Sequence, residues 1–206
     1  MTQSAYSRTM PILYSGARDV QSHRIRLVLA AKGVRHERVI VEPTNLPEQL
    51  LSLNPDGDLP TLVDRDLTLY DPSVLCDYLD ERYPHPALMP VDPLSRARLR
   101  LTAVRIERDW LSEVKRIETH NSTAALARKR LRKRLLAAQP LFRASRFFLN
   151  EEMSLLDCLV APIIWRLPSL GIDMERDGKS SIHYGERLFH TQGYTRSLTP
   201  EEKAMR

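Results

Sequence analysis

The side chains able to do covalent or metal chemistry in this 206-residue chain are few and widely spaced. Six histidines, His23, His36, His85, His120, His183 and His190, and two cysteines, Cys76 and Cys158, make up the set of soft ligands and nucleophiles. A structural zinc site draws its ligands from pairs separated by two to five residues, and no His or Cys pair here has that pattern. There is no C-x-x-C, no G-x-G-x-x-G, no G-x-x-x-x-G-K-[ST] and no H-E-x-x-H, so dithiol exchange, dinucleotide or nucleotide cradling and zinc proteolysis have no motif to rest on. The expectation is no catalytic residue, no metal and no cofactor. Cys76 and Cys158 lie in apolar, helix-like segments and read as small core residues.

One constellation suits recognition. Pro84-His85-Pro86 places a histidine between two prolines, each of which locks its own φ and biases the residue before it toward extended backbone. His85 should therefore be presented to solvent on a stiff support, and a preorganised apolar and imidazole surface loses little entropy on docking. The competing reading is that these prolines only stop the preceding helix and stiffen a linker.

Charge offers a second lead. Lys and Arg outnumber Asp and Glu by 31 to 26, a net +5, concentrated in Arg96, Arg98, Arg100, Arg105 and Arg108 and in Arg128, Lys129, Arg130, Arg132, Lys133 and Arg134. These positions interleave with leucine and alanine at helical spacing, the pattern of a solvated helix face. Aromatics make up only 6% of the chain, which weakens a base-stacking reading, and direct binding of nucleic-acid backbone by these arginine-rich helices stands as an alternative.

The elements that must position these residues follow from periodicity. Residues 11–14 form a short strand. A helix follows, capped by Asp19, with Val20, Ile25, Val28 and Leu29 at helical spacing, and closed by Gly33. A second strand at 38–42 pairs in parallel with the first, because the intervening crossover is too long for a hairpin. Asn45 to Pro55 offers a short irregular helix, 60–64 and 67–70 form a hairpin about Arg65 and Asp66, and a helix runs from about Ser73 to Arg82. The order βαβ-α-ββα is an α/β thioredoxin-like domain over residues 1–84, joined by a proline-rich linker at 85–92 to an all-α domain over 93–206. In that second domain, helices are expected at 93–119, 123–138 and 155–167, with a weaker one at 180–190 and a short polar tail. Ser154 and Asp157 have the spacing of a capping box at the start of the third. No stretch is apolar enough for a membrane span, and the first residues lack a signal-peptide pattern, which points to the cytoplasm.

The strings Arg24-x-Arg26-Leu-Val-Leu-Ala-Ala-Lys32-Gly33 and Leu59-Pro60-Thr61-Leu62, the hairpin after them, and Ser154-x-x-Asp157 resemble the glutathione-transferase superfamily along nearly the whole chain. Within it the sequence is similar to the stringent starvation protein A family, through LNPDGDLPTLVDRDLTLY, YLDERYPHPALMPV, RIERDW and SLLDCLVAPIIWRLPSLGI; the C-terminal end is similar only loosely. The resemblance implies a glutathione-transferase-like fold, a cis peptide between Leu59 and Pro60, and a homodimer. It also implies a regulator of RNA polymerase in starvation or stress, docking on holoenzyme with its primary sigma factor through Pro84, His85 and Pro86. DNA would then be reached only through the polymerase.

The superfamily's chemistry needs a hydroxyl or thiol donor at the start of the first helix to stabilise the glutathione thiolate. Asp19 stands there, and a carboxylate would raise the thiol pKa. Capture of the γ-glutamyl group needs a serine hydroxyl and backbone N–H after the fourth strand. That place holds Pro72, in Asp71-Pro72-Ser73, and proline supplies neither donor. The reading is a transferase fold without transferase activity; the alternative is a glutathione-dependent enzyme with a displaced site.

Overall fold

A computed structural model describes residues 10–119 and 122–206, so His120 lies outside the described residues. The chain divides into two compact units. The first comprises the residues up to Pro86 together with Arg196–Glu202, and the second comprises Ala87–Thr195 with Lys203–Arg206.

The first unit is built on a sheet of four strands, β1 (Ile12–Gly16), β2 (Glu37–Val41), β3 (Thr61–Asp64) and β4 (Leu67–Leu69), in the order β2-β1-β3-β4. β1 runs parallel to β2 and antiparallel to β3, which pairs antiparallel with β4, giving the expected crossover and hairpin. Arg65, with φ 59°, makes the left-handed step that turns β3 into β4. Every residue of β1 and β3 is buried, as the two central strands of a covered sheet should be.

Helix α1 (Val20–Ala31) connects β1 to β2. Asp19 caps it, accepting from the Ser22 N–H at 2.6 Å. At its other end Gly33 takes φ +64°, and the Gly33 and Val34 amides close on Ala30 and Leu29. Helix α2 (Glu48–Leu53) packs Leu50 with Ile12, Tyr14 and Val63 of the sheet, and α1 packs on α3 (Pro72–Arg82). The peptide between Leu59 and Pro60 is cis, as the resemblance implies, and so is that between His85 and Pro86.

The second unit is helical. Its first helix, expected as one piece over 93–119, is α4 (Pro93–Ile106) and α5 (Ser112–Glu118) joined without a break by a π-helical turn at Glu107–Leu111. That wider turn inserts a residue and brings Trp110 and Leu111, consecutive in sequence, both into the interior. After it come α6 (Ala124–Ala137), α7 (Gln139–Ala144), α8 (Leu155–Arg166), α9 (Lys179–Phe189), α10 (Gln192–Ser197) and α11 (Pro200–Lys203). α8 is buried along nearly its whole length, and its capping box is formed: Ser154 Oγ accepts from the Leu156 N–H and Asp157 accepts from the Ser154 N–H. Trp110, Phe142, Phe148 and Tyr184 form an aromatic cluster with centroids 5.0 to 6.2 Å apart. Cys76 and Cys158 are both buried.

The short helices α7, α10 and α11 have too few turns to register as a periodic pattern. The polar tail is not free: Glu202, on α11, is fully buried in the first unit. No helix among the described residues is long and apolar enough to cross a membrane.

Candidate functional site

The start of α1, where a transferase would activate its thiol, is closed by the chain itself. Asp19 spends its carboxylate on the helix cap. The carbonyl of Gly16 accepts from Arg26 at 3.0 Å, and Arg26 also donates to Ser15 Oγ. Arg26 is fully buried, and the remainder of its guanidinium bonds the Ser197 carbonyl at 2.8 Å and the Glu202 carboxylate at 2.6 Å. His23 lies against the same segment, 3.0 Å from Ser197 Oγ and 3.5 Å from the Glu202 carboxylate. Thr199 Oγ1 donates to the Ala17 carbonyl at 2.7 Å. The turn between β1 and α1 is thus cross-braced by residues 197–202.

The start of α3 is equally spent. Asp71 Oδ1 accepts from the Ser73 and Val74 amides at 2.9 and 3.0 Å, and Pro72 has no N–H to offer. A helix N-terminus normally presents unpaired amides to an anionic ligand. Here a carboxylate already occupies them, and a second carboxylate arriving would meet like charge.

Pro84, His85 and Pro86 are all solvent-exposed. Pro84 and His85 sit on the wall of a cleft of about 750 Å³, whose other walls include Met10, Val34, Arg35 and Arg82. The cleft is shaped by one residue that sequence reasoning passed over. Lys32, the residue that ends α1, turns its side chain inward, where the ammonium is fully buried. It donates to the Asp80 carboxylate on α3 and to the carbonyl oxygens of Tyr83 and Pro86, each at 2.7 Å. Three donors meet three acceptors, so the ammonium is satisfied and both ends of the Tyr83–Pro86 segment are pinned. The signal for Lys32 was present in Ala-Ala-Lys32-Gly33. A lysine one residue ahead of a helix-closing glycine has an ordinary role beside the helix dipole, and nothing in one dimension distinguishes that from an inward staple.

Behind this segment, Arg82 lies over the Tyr83 ring at 5.5 Å and 3.8 Å from the Asp64 carboxylate, and Tyr78 donates to Asp64 at 2.7 Å. Burial, helped by the Asp64 bond, pushes the Tyr78 phenol up to about 12, so it stays a neutral donor. Burial likewise raises the Tyr83 phenol. The remaining described histidines do not converge on this cleft, and no group of three metal-ligating side chains comes together among the described residues.

Residues 20–82 match the family model described as "Glutathione S-transferase, N-terminal domain". The chain is 43% identical over 200 residues to the stringent starvation protein A homolog of Pasteurella multocida, covering 96% of this chain and 94% of that one. It is 42% identical over 201 residues to the homolog from Coxiella burnetii, covering 97% and 96%. Human glutathione S-transferase omega-2 is similar over a shorter stretch, 43% identical over 81 residues, 39% of this chain and 33% of that one. Among solved structures, a rice glutathione transferase crystallised with glutathione superposes with a TM-score of 0.83 at 20% identity, covering 95% and 94%. A glutathione S-transferase from the Antarctic clam Laternula elliptica superposes with a TM-score of 0.81 at 19% identity, covering 94% of each chain. The structures establish the fold, and the near full-length identity to the curated homologs establishes that this chain belongs to the stringent starvation protein A family, within the glutathione-transferase-like fold.

Proposed function

We propose that this protein is a transcription regulator that docks on RNA polymerase holoenzyme bearing its primary sigma factor, through the exposed Pro84-His85-Pro86 surface, during starvation or stress. The observation that carries this reading is the pinning of an exposed histidine and two prolines by the buried Lys32 ammonium. A recognition surface held in one shape keeps most of its contact energy on binding. The surrounding cleft, with Arg35 and Arg82 on its walls, suits an apolar peptide segment flanked by acidic residues.

The protein acts in this reading as a homodimer in the cytoplasm and not as an enzyme. Leu94, Leu101 and Val104 leave 60%, 54% and 57% of their surface exposed at spacings of seven and three residues, an apolar stripe on α4 that a second copy would cover. Against transferase chemistry stand the carboxylates of Asp19 and Asp71, each committed to a helix cap where glutathione would need a donor. Calorimetric titration with millimolar glutathione is therefore expected to give no binding heat.

The deciding experiment replaces Pro84, His85 and Pro86 by alanine together. The variant should keep the wild-type circular dichroism and melting profile and lose co-purification with polymerase holoenzyme. Undiminished co-purification by a folded variant would overturn the assignment of the surface.

A further inference from the structure

The second unit carries a recess of about 350 Å³ whose charged lining is all of one sign. Its lining is Arg143, Arg146, Arg187 and His183, with Ser145, Ser180 and Phe142. No lining residue is acidic. The site is assembled by two packed helices. Arg143 lies in the last turn of α7, Ser145 and Arg146 follow it directly, and Ser180, His183 and Arg187 form one stripe of α9 at spacings of three and four residues. Gln139 fixes the two elements to each other, its Oε1 accepting from the Ser180 and Ser181 amides at 3.0 and 3.2 Å and its Nε2 donating to Ser181 Oγ at 3.2 Å.

Two of the guanidiniums, those of Arg146 and Arg187, are held by groups that carry no negative charge among the described residues. Arg187 Nε donates to the Arg146 carbonyl at 3.1 Å, and its guanidinium lies over the Tyr184 ring at 6.0 Å. Arg146 lies over the Phe147 ring at 5.4 Å. A carbonyl and two ring faces orient the planar groups and leave most of their N–H donors unspent. The acid on α9, Glu186, is engaged by His190 and Arg206 at 3.1 and 2.9 Å, and Asp177 ahead of the helix by Arg132 at 3.1 Å. Three like charges in one recess repel one another, a standing cost that an anion of matching charge would remove.

We infer that this recess binds a diphosphate group, held by Arg143, Arg146 and Arg187, with the Ser145 and Ser180 hydroxyls as additional donors. Guanidinium forks match phosphoryl oxygens in a bidentate way that ammonium groups do not. Three of them exceed the charge of about −1.5 to −2 on a single phosphate monoester and so favour a diphosphate. The size of the recess, at the small end of the range for ligand pockets, fits a compact anion. The group can come free, as inorganic pyrophosphate, or esterified, as a nucleoside diphosphate. This inference stands apart from the polymerase reading, because it uses no residue of the Pro84–Pro86 surface.

Calorimetry on the full chain in 50 mM salt tests it, with inorganic pyrophosphate and ADP as separate probes and inorganic phosphate as the single-phosphate control. Saturable binding of pyrophosphate or ADP, tighter than phosphate by about tenfold or more, is expected, and whichever of the two binds tighter identifies the source. Arg143→Ala with Arg187→Ala should weaken that binding by about a hundredfold, Arg143→Lys with Arg187→Lys should recover only part of it, and both variants should melt as the wild type does. No binding of either probe, or binding that the alanine pair leaves unchanged, overturns the inference. So does tighter binding to a short DNA duplex that pyrophosphate cannot displace, which would assign the patch to nucleic-acid backbone.

Discussion

The ammonium of Lys32 donates to the carbonyl oxygen of Pro86 at 2.7 Å, across 54 residues of chain, and in doing so ties the end of α1 to the surface segment that follows α3. The same ammonium pairs with Asp80 and holds the Tyr83 carbonyl, so a single buried charge shapes the wall of the cleft.

Lys32→Met should therefore act on both stability and recognition. It takes the ammonium away from the buried Asp80 carboxylate and from two carbonyls, and breaking a buried ion pair from one side costs about 3–5 kcal/mol. Adding Asp80→Asn should return part of that loss, since the buried charge that lost its ammonium is gone. Urea titration of the single and double variants measures this. The stabilised double variant should still capture less polymerase than the wild type, because Tyr83 and Pro86 remain unpinned. Wild-type capture by the double variant would show that the staple serves stability alone.

A parallel prediction concerns the tail. Arg26 and Glu202 are both fully buried and meet at 2.6 Å, with His23 on the other carboxylate oxygen. Glu202→Gln keeps the shape and removes the carboxylate charge that faces the buried Arg26 guanidinium. The expected loss is about 3–5 kcal/mol in chemical denaturation. Arg26→Met combined with Glu202→Met should cost less than the two single changes added together, a coupling that a double-mutant cycle reads directly. Additive losses would mean that the pair makes no coupled contribution.

Much of the first unit was legible because its signals are local. Asp19 before a helical apolar pattern, Gly33 after it and the short alternation around Arg65 each dictate a conformation within a few residues, and the structure follows them. The Asp71-Pro72 replacement was equally plain, since the missing donors are a property of proline itself. What periodicity does not carry is partnership at long range. Arg26 and Glu202 are 176 residues apart, and Lys32 lies 54 residues from Pro86. In each case the basic residue on α1 carries no local sign of its partner, which arrives from elsewhere in the chain. The basic recess was invisible for the same reason: Arg143 and Arg146 become neighbours of His183 and Arg187 only when α7 packs on α9.

The apolar stripe on α4 gives a third prediction. Leu101→Glu with Val104→Glu places two carboxylates on positions that are half exposed in the isolated chain, so the fold should be little changed and a covering copy strongly repelled. Light scattering should move from a dimer mass to that of a single 23.7 kDa chain, with the circular dichroism unaltered. A wild-type protein that already scatters as a monomer, or a variant that stays dimeric, would remove α4 from the interface.

Asp157 supplies the fourth, through pH. Its carboxylate is fully buried and accepts from the Phe148 and Ser154 amides at 2.8 Å, from Ser154 Oγ at 3.1 Å and from the Tyr184 hydroxyl at 2.9 Å. Burial nevertheless outweighs these bonds and raises its pKa above the ordinary aspartate value. In the window between the unfolded value and the raised native one, the native state holds the proton that the unfolded state has released. Stability from this group is then full below the unfolded value and falls as pH rises through the native one. Asp157→Asn removes the titration and costs at least one strong acceptor, so it should destabilise at every pH, by about 1–3 kcal/mol for an unsatisfied buried donor. The gap between wild type and variant should be widest at acid pH and narrow as pH rises. Denaturation series on both proteins from pH 4 to pH 7 measure that gap. If it widens instead, the four hydrogen bonds dominate burial and Asp157 is held as an anion.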